Sequence, residues 1–212
     1  MSAQAVAIAL GCLLALVLVA GWLSTTASRL DRLHIRLATA QASLDRQLVD
    51  RAAATADVAH SGALDPAGSL LLLAAADAAR QATGRSARTG DVHARDAAES
   101  ALSFDLRAVF GDAAAVASAW RTEAARPLLV ELAETCDRVQ LARRFHDDLG
   151  ARTRAARSRL LVRWMRLAGH ASWPVVVGLD DVPPAALLAA ADKTAPQVGS
   201  GAARPAGPRS AT

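Results

Sequence analysis

The chain predicts an all-α protein: one N-terminal membrane-spanning helix followed by an antiparallel up-down bundle with two long helices. Three observations carry that prediction. Residues Ala5 to Leu23 form an uninterrupted apolar run of 19 residues. Beyond it, leucines and alanines recur at steps of three and four along two long stretches. The composition disfavours sheet, with no Tyr, no Asn and only two isoleucines, Ile8 and Ile35, among abundant Ala, Leu and Arg.

The apolar run is long enough for the membrane. At about 1.5 Å per residue it covers roughly the ~30 Å hydrocarbon core. No charged residue precedes it, and the first three beyond it are Arg29, Asp31 and Arg32. A cleaved signal peptide would need a positive leader, a shorter apolar stretch and an A-x-A-like site, so residues 5–24 read as a signal anchor. Cys12 reads as a small apolar residue inside that helix rather than as a lipid-attachment site. Arg29, Arg32 and Arg36 follow the span and no basic residue precedes it. This places the N-terminus outside and the remainder on the cytoplasmic side of the cell membrane. Trp22 stands at the headgroup end of the run.

The first long helix continues to about Ala59. Leu30, Leu33, Leu37, Ala40, Leu44 and Leu48 form its apolar stripe, and a turn follows at His60-Ser61-Gly62. Asp65-Pro66 supplies an N-cap with Pro at the first helical position. The helix it opens is expected to end before a polar loop, Gly84 to Gly90. Asp91 caps a third helix with Ala98, Leu102, Leu106, Val109 and Phe110 on its apolar side. Gly111-Asp112 ends that helix and starts a short one, Ala113 to Ala125. Pro127 breaks the chain, since it lacks a backbone donor. From there the second long helix runs toward Leu167 with Leu128, Leu129, Leu132, Cys136, Val139, Ala142 and Leu149 facing inward. The bundle is thus expected over residues 29–170, with a short irregular segment over 171–182. From Pro183 to Thr212 the chain holds five of its eight prolines and is expected to be a disordered tail. Cys12 and Cys136 lie too far apart in kind to pair, so no disulfide framework is expected.

Three stretches resemble the LemA family of membrane-anchored helical proteins. Asp45, Gln47, Leu48 and Arg51 match the family's D-x-Q-L-x-x-R after the anchor. Ala98-Glu99-Ser100-Ala101-Leu102 is similar to its A-E-N-x-L. Val139 to Asp148, with Ala142-Arg143-Arg144, is similar to its A-R-R-x-Y-N-D segment. Gln41 stands where the family has Trp, Ser100 where it has Asn, and His146-Asp147 where it has Tyr-Asn. The resemblance covers residues 5–170. It implies a single-span protein, N-terminus outside, with a cytoplasmic antiparallel bundle, and it implies no enzymatic activity.

Candidate chemistry is sparse. The histidines are scattered, and no H-E-x-x-H, C-x-x-C, P-loop or G-x-S-x-G arrangement is present. His146-Asp147-Asp148 reads as a solvated helix face. Asp45 beside Arg46 reads as a member of surface or interhelical ion pairs. No cofactor, metal or nucleic-acid partner is expected. One feature stands out: Arg138 to Arg166 holds nine arginines against Asp147 and Asp148, a local net charge of +7. Its end is basic and amphipathic, so Arg157, Arg159, Arg163, Trp164 and Arg166 are candidate contacts for anionic lipid. The leading expectation is a non-catalytic, membrane-tethered scaffold or adaptor whose partners are the bilayer and other proteins. The alternatives are a sensor of anionic membrane surfaces and an enzyme with an unrecognised site.

Overall fold

A computed structural model describes residues 3–157 and 177–194. Helices account for nearly all of them, and no strand is present among the described residues. Helix α1 spans Ala3–His60, α2 Pro66–Thr89, α3 Val92–Phe110 and α4 Ala113–Trp120. A 3-10 turn, Glu123–Ala125, leads into α5, Arg126–Arg157, and a last helix, α6, spans Ala185–Thr194.

The local signals act as their chemistry requires. The Asp65 carboxylate accepts from the backbone N–H groups of Ala67 and Gly68, both at 3.1 Å, satisfying two donors at the α2 N-terminus. Asp91 does the same for His93 and Ala94, and Asp112 for Ala114. Pro127 sits in the first turn of α5, where its missing donor costs nothing. The short helix expected to reach Ala125 ends instead at Trp120, and the 3-10 turn bridges the gap.

Two sequence expectations need correction. The stretch from Gly84 to Gly90 is not a loop, because α2 continues through Gly84 to Thr89. Ala82, Thr83 and Ser86 are buried there, and that tertiary packing outweighs the roughly 1 kcal/mol a helical glycine costs. Gly90 alone makes the turn. Its φ of 75° is left-handed, and its N–H closes on the Ser86 carbonyl at 2.8 Å. Gly90→Ala is expected to destabilise the fold by about 1–2 kcal/mol, measurable by thermal melting, whereas Gly84→Ala should be neutral or stabilising. The second correction concerns residues 183–194 of the expected disordered tail. The N–H groups of Leu187 and Leu188 both donate to the Pro184 carbonyl and start a helix there. Leu187 and Ala191 then bury themselves against α4 and α5. Residues 195–212 lie outside the described residues.

The long helices α1 and α5 pack against each other along most of the bundle and run antiparallel. Ala52, Val58 and Ala59 share the main core with Leu129, Leu132 and Cys136, near the start of α5. Leu44 and Leu48, earlier in α1, meet Val139 further along α5. Arg36 and Ser43 line one groove with Ala142 and Leu149. Helix α2 packs on α1, and α3 packs on α2. The main core centres on Phe110, Leu72, Leu102, Leu106, Leu129 and Leu132. A smaller second core holds Leu44, Leu48, Val139, Val177 and Leu179. Most of the residues expected inside on α3 and α5 are there, with Leu102, Leu106, Phe110, Leu129, Leu132 and Cys136 all essentially solvent-free.

Before the bundle begins, α1 projects freely. Ile8, Leu10, Leu13, Leu14, Leu16 and Leu18 are each more than half exposed. Among the described residues no helix is long and apolar enough to cross a membrane. The expected membrane-spanning segment at 5–24 is thus a helix that the structure does not support as a span; the side chains at 5–7, 9 and 23 fall outside the described ones.

Candidate functional site

Between the two apolar cores lies a polar layer that no simple burial rule predicts. It is built on two arginines. Arg51 of α1 and Arg95 of α3 are each 1% exposed. A guanidinium is held inside a protein only when its donors are consumed by partners. Arg51 Nη2 donates to Glu99 Oε2 at 2.7 Å and Nη1 to Ser103 Oγ at 3.0 Å. The second Glu99 oxygen accepts from the Thr83 hydroxyl at 3.2 Å. This one cluster therefore ties α1, α2 and α3 together. Only Arg51 Nε and the neighbouring Gln47 Oε1 stay unbonded within it.

Glu99 is fully buried, and desolvation pushes its carboxyl above the ordinary range despite the opposing pull of Arg51 and Thr83. The sign follows directly. Between the ordinary and the folded pKa the native state holds the extra proton, so stability from this group falls as pH rises through that window. Cys136, in the adjacent core, is likewise pushed up, to about 11, chiefly by burial. Its thiol is an inert core group, since the thiolate is the reactive form.

The second arginine links the ladder onward. Arg95 bonds Asp96 through Nε and Nη2 and reaches across to Asp45 of α1 with Nη1 at 2.7 Å. Gln41 also donates to that Asp45 oxygen. Asp45 thus forms the interhelical ion pair its setting suggested. The free oxygen of Asp96 accepts from the Gly178 N–H at 2.8 Å. Ser100 Oγ accepts from the Asp180 N–H at the same distance.

These bonds fasten residues 177–182 across α3 and α5 as a strap. Arg107 of α3 donates to the Asp180 carboxylate at 2.6 Å and to the Val182 carbonyl. From α5, Arg143 pairs with Asp181 and Gln140 bonds the Asp181 carbonyl. The Val182 N–H and then Arg107 hold the Asp180 carboxyl below the ordinary carboxylate range. A depressed carboxylate contributes stability above its unfolded pKa and loses it as pH falls through the folded value. Acid should therefore loosen the strap. Asp180→Asn is expected to lower stability modestly at neutral pH, where the carboxylate contributes, and to converge with the wild type in acid, so that its stability curve has a flatter acid limb below about pH 4, as measured by chemical denaturation.

The structure sorts the sequence-derived candidates. Asp45 and Arg51 from α1 meet the α3 segment of Glu99 and Ser100 here, and Arg143 of α5 joins through the strap by pairing with Asp181. Ser100 works as acceptor for the strap. His146 corrects the expectation of a solvated face, since it is only 4% exposed and contacts Asp147 at 3.4 Å. Asp148 does lie on the surface, bonded to Arg152. Among the described residues no three His, Cys, Asp or Glu side chains are grouped to hold a metal. Of the lipid-contact candidates, Arg157 is the last residue of α5, while Arg159, Arg163, Trp164 and Arg166 lie outside the described residues. The reasoning from sequence missed Arg95, Asp96, Thr83 and the strap acids Asp180 and Asp181. Arg95 next to Asp96 looks like any surface pair, and only its burial distinguishes it.

No protein-family model, curated protein or solved structure matches this chain.

Proposed function

We propose that this chain is a non-catalytic, membrane-tethered helical scaffold of the LemA type, anchored by residues 5–24 with its bundle on the cytoplasmic side. The observation that carries the reading is that two of the LemA-like stretches meet in one polar layer, through Arg51 and Glu99, and that the third joins it by way of the strap, through Arg143 and Asp181. Asp45, Arg51, Glu99 and Arg143 are each held by an ion pair, so the layer works as a clamp that fixes helix order rather than as a reaction centre. The long exposed apolar start of α1 supports the tether. The enzyme reading draws no support from Asp45, His146 and Asp148, because each is paired to a different neighbour.

Topology is the direct test. Protease added to intact cells is expected to leave residues 29–212 intact, and to digest them once the membrane is opened. Digestion of the bundle from outside would overturn the orientation. Crosslinking in native membranes, followed by identification of attached proteins, tests the scaffold role.

A second reading, contact with anionic lipid, is favoured by one geometric fact. Arg36 and Leu149 line the same groove. Because the two helices are antiparallel, the eight residues from Leu149 to Arg157 return about 12 Å toward the membrane end of α1. This carries Arg154 and Arg157 toward Arg29 and Arg32, within roughly a Debye length of the apolar run. Binding of the full chain's cytoplasmic face to anionic lipid is expected to fall with salt and with Arg157→Gln. Equal affinity for neutral lipid would discard this reading.

A further inference from the structure

Helices α1 and α2 line an open groove of about 860 Å³, and its rim is basic. Arg46 of α1 stands on one side, and Arg80, Arg85 and Arg88 of α2 on the other. All four are exposed. Arg85 reaches only the Gln81 amide oxygen, at 3.5 Å. Among the described residues Arg46, Arg80 and Arg88 have no acid partner. This contrasts with Arg107, Arg138, Arg143 and Arg152, each of which pairs with a carboxylate. Of the groove's two acids, Asp45 is committed to Arg95, while Asp77 accepts from the neutral Gln81 amide and keeps its charge, so the lining holds four arginines against two carboxylates. Val49, 40% exposed, adds an apolar floor.

We propose that this groove docks an acidic, amphipathic peptide segment of a partner protein. The inference rests on the scaffold reading and names the chemistry of its partner. Charge complementarity selects the class, and other anionic occupants fit less well. Arg46 lies 23 residues past Leu23, about 35 Å along the helix from the apolar run, so lipid headgroups are several Debye lengths away. A nucleic acid would find no aromatic side chain in the lining for its bases. A helical peptide matches the spacing. Arg80 and Arg88 are two turns apart, about 12 Å, so carboxylates two turns apart on a helical peptide reach both.

The test uses the purified full chain in nanodiscs of neutral lipid. The probe is a fluorescein-labelled 16-residue peptide of repeating Glu-Glu-Leu-Ala, titrated by anisotropy. Binding is expected at low salt and should weaken steeply as salt rises. The triple change Arg46→Gln, Arg80→Gln, Arg88→Gln should weaken it by about tenfold or more. Removing the same charge elsewhere, with Arg121→Gln, Arg138→Gln and Arg144→Gln, should change it by less than about twofold. All six side chains are exposed, and an unchanged melting temperature verifies that both variants fold. No binding at low salt, or equal loss in both triples, overturns the proposal. So does preferential binding of a 16-nucleotide RNA or of anionic vesicles through the same three arginines. Crosslinking in native membranes that captures no protein would remove the scaffold reading but leave the titration standing. A titration without arginine dependence removes the groove and leaves the scaffold.

Discussion

Replacing Arg51 with Ala is expected to cost about 3–5 kcal/mol, because it leaves the Glu99 carboxylate buried without its cation. For a chain of 212 residues this is a fall in melting temperature of roughly 6–20 °C. Glu99→Ala should cost a comparable amount by stranding Arg51. The informative variant is the double one. Arg51→Met with Glu99→Leu removes both charges and keeps apolar volume, so it should recover most of the loss. Thr83 and Ser103 would still lose a partner, which sets a residual cost of about 1–2 kcal/mol. With the single variants Arg51→Met and Glu99→Leu as the other two corners, urea unfolding of the full chain in detergent reads the complete cycle. Additive losses would mean that the two groups do not act as a pair. The pH dependence gives an independent check. Since burial raises the Glu99 carboxyl, the wild-type chain should lose stability as pH rises above the ordinary glutamate value of 4.5, and the double variant should lack that component.

Leu44→Asp has the next largest expected effect. Leu44 is solvent-free in the smaller core, against Leu48, Val139, Val177 and Leu179. Aspartate there loses the packing of a leucine, worth about 2–5 kcal/mol, and adds an unpaired carboxylate. The polar layer offers no relief, because Arg95 is already saturated by Asp45 and Asp96. The bundle should lose cooperative melting near this end, and the strap should detach, since Val177 and Leu179 lose their seat. Ile35→Asp is the matched control. Ile35 is 59% exposed on the same helix, and its change should fall within about 0.5 kcal/mol. An unchanged melting temperature in Leu44→Asp would refute the packing of α1 on α5.

The two variants probe different kinds of information. Leu44 was readable as a core position from its place in a three-and-four repeat. Arg51 was not, because one arginine among many carries no local mark of burial.

Much of the architecture was legible in the residues. Cap chemistry at Asp65, Asp91 and Asp112 acts within three residues, so it can be read without knowing the fold. The apolar stripes of α1, α3 and α5 could be read for the same reason: a helix brings i, i+3 and i+4 together whatever surrounds it. The apolar run before Arg29 is equally a property of the sequence alone. Tertiary structure decided the rest. It carried α2 through Gly84, because burial of Thr83 and Ser86 outweighs a glycine's weak propensity. It turned residues 185–194 into a helix, because Leu187 found a site on α4 and α5 that the local composition does not announce. It also decided which charges pair. Arg51 meets Glu99 across 48 residues, and Asp96 meets Gly178 across 82. No periodicity connects such positions. Their partnership exists only once the helices have packed and excluded water, when an unpaired charge becomes too costly to leave.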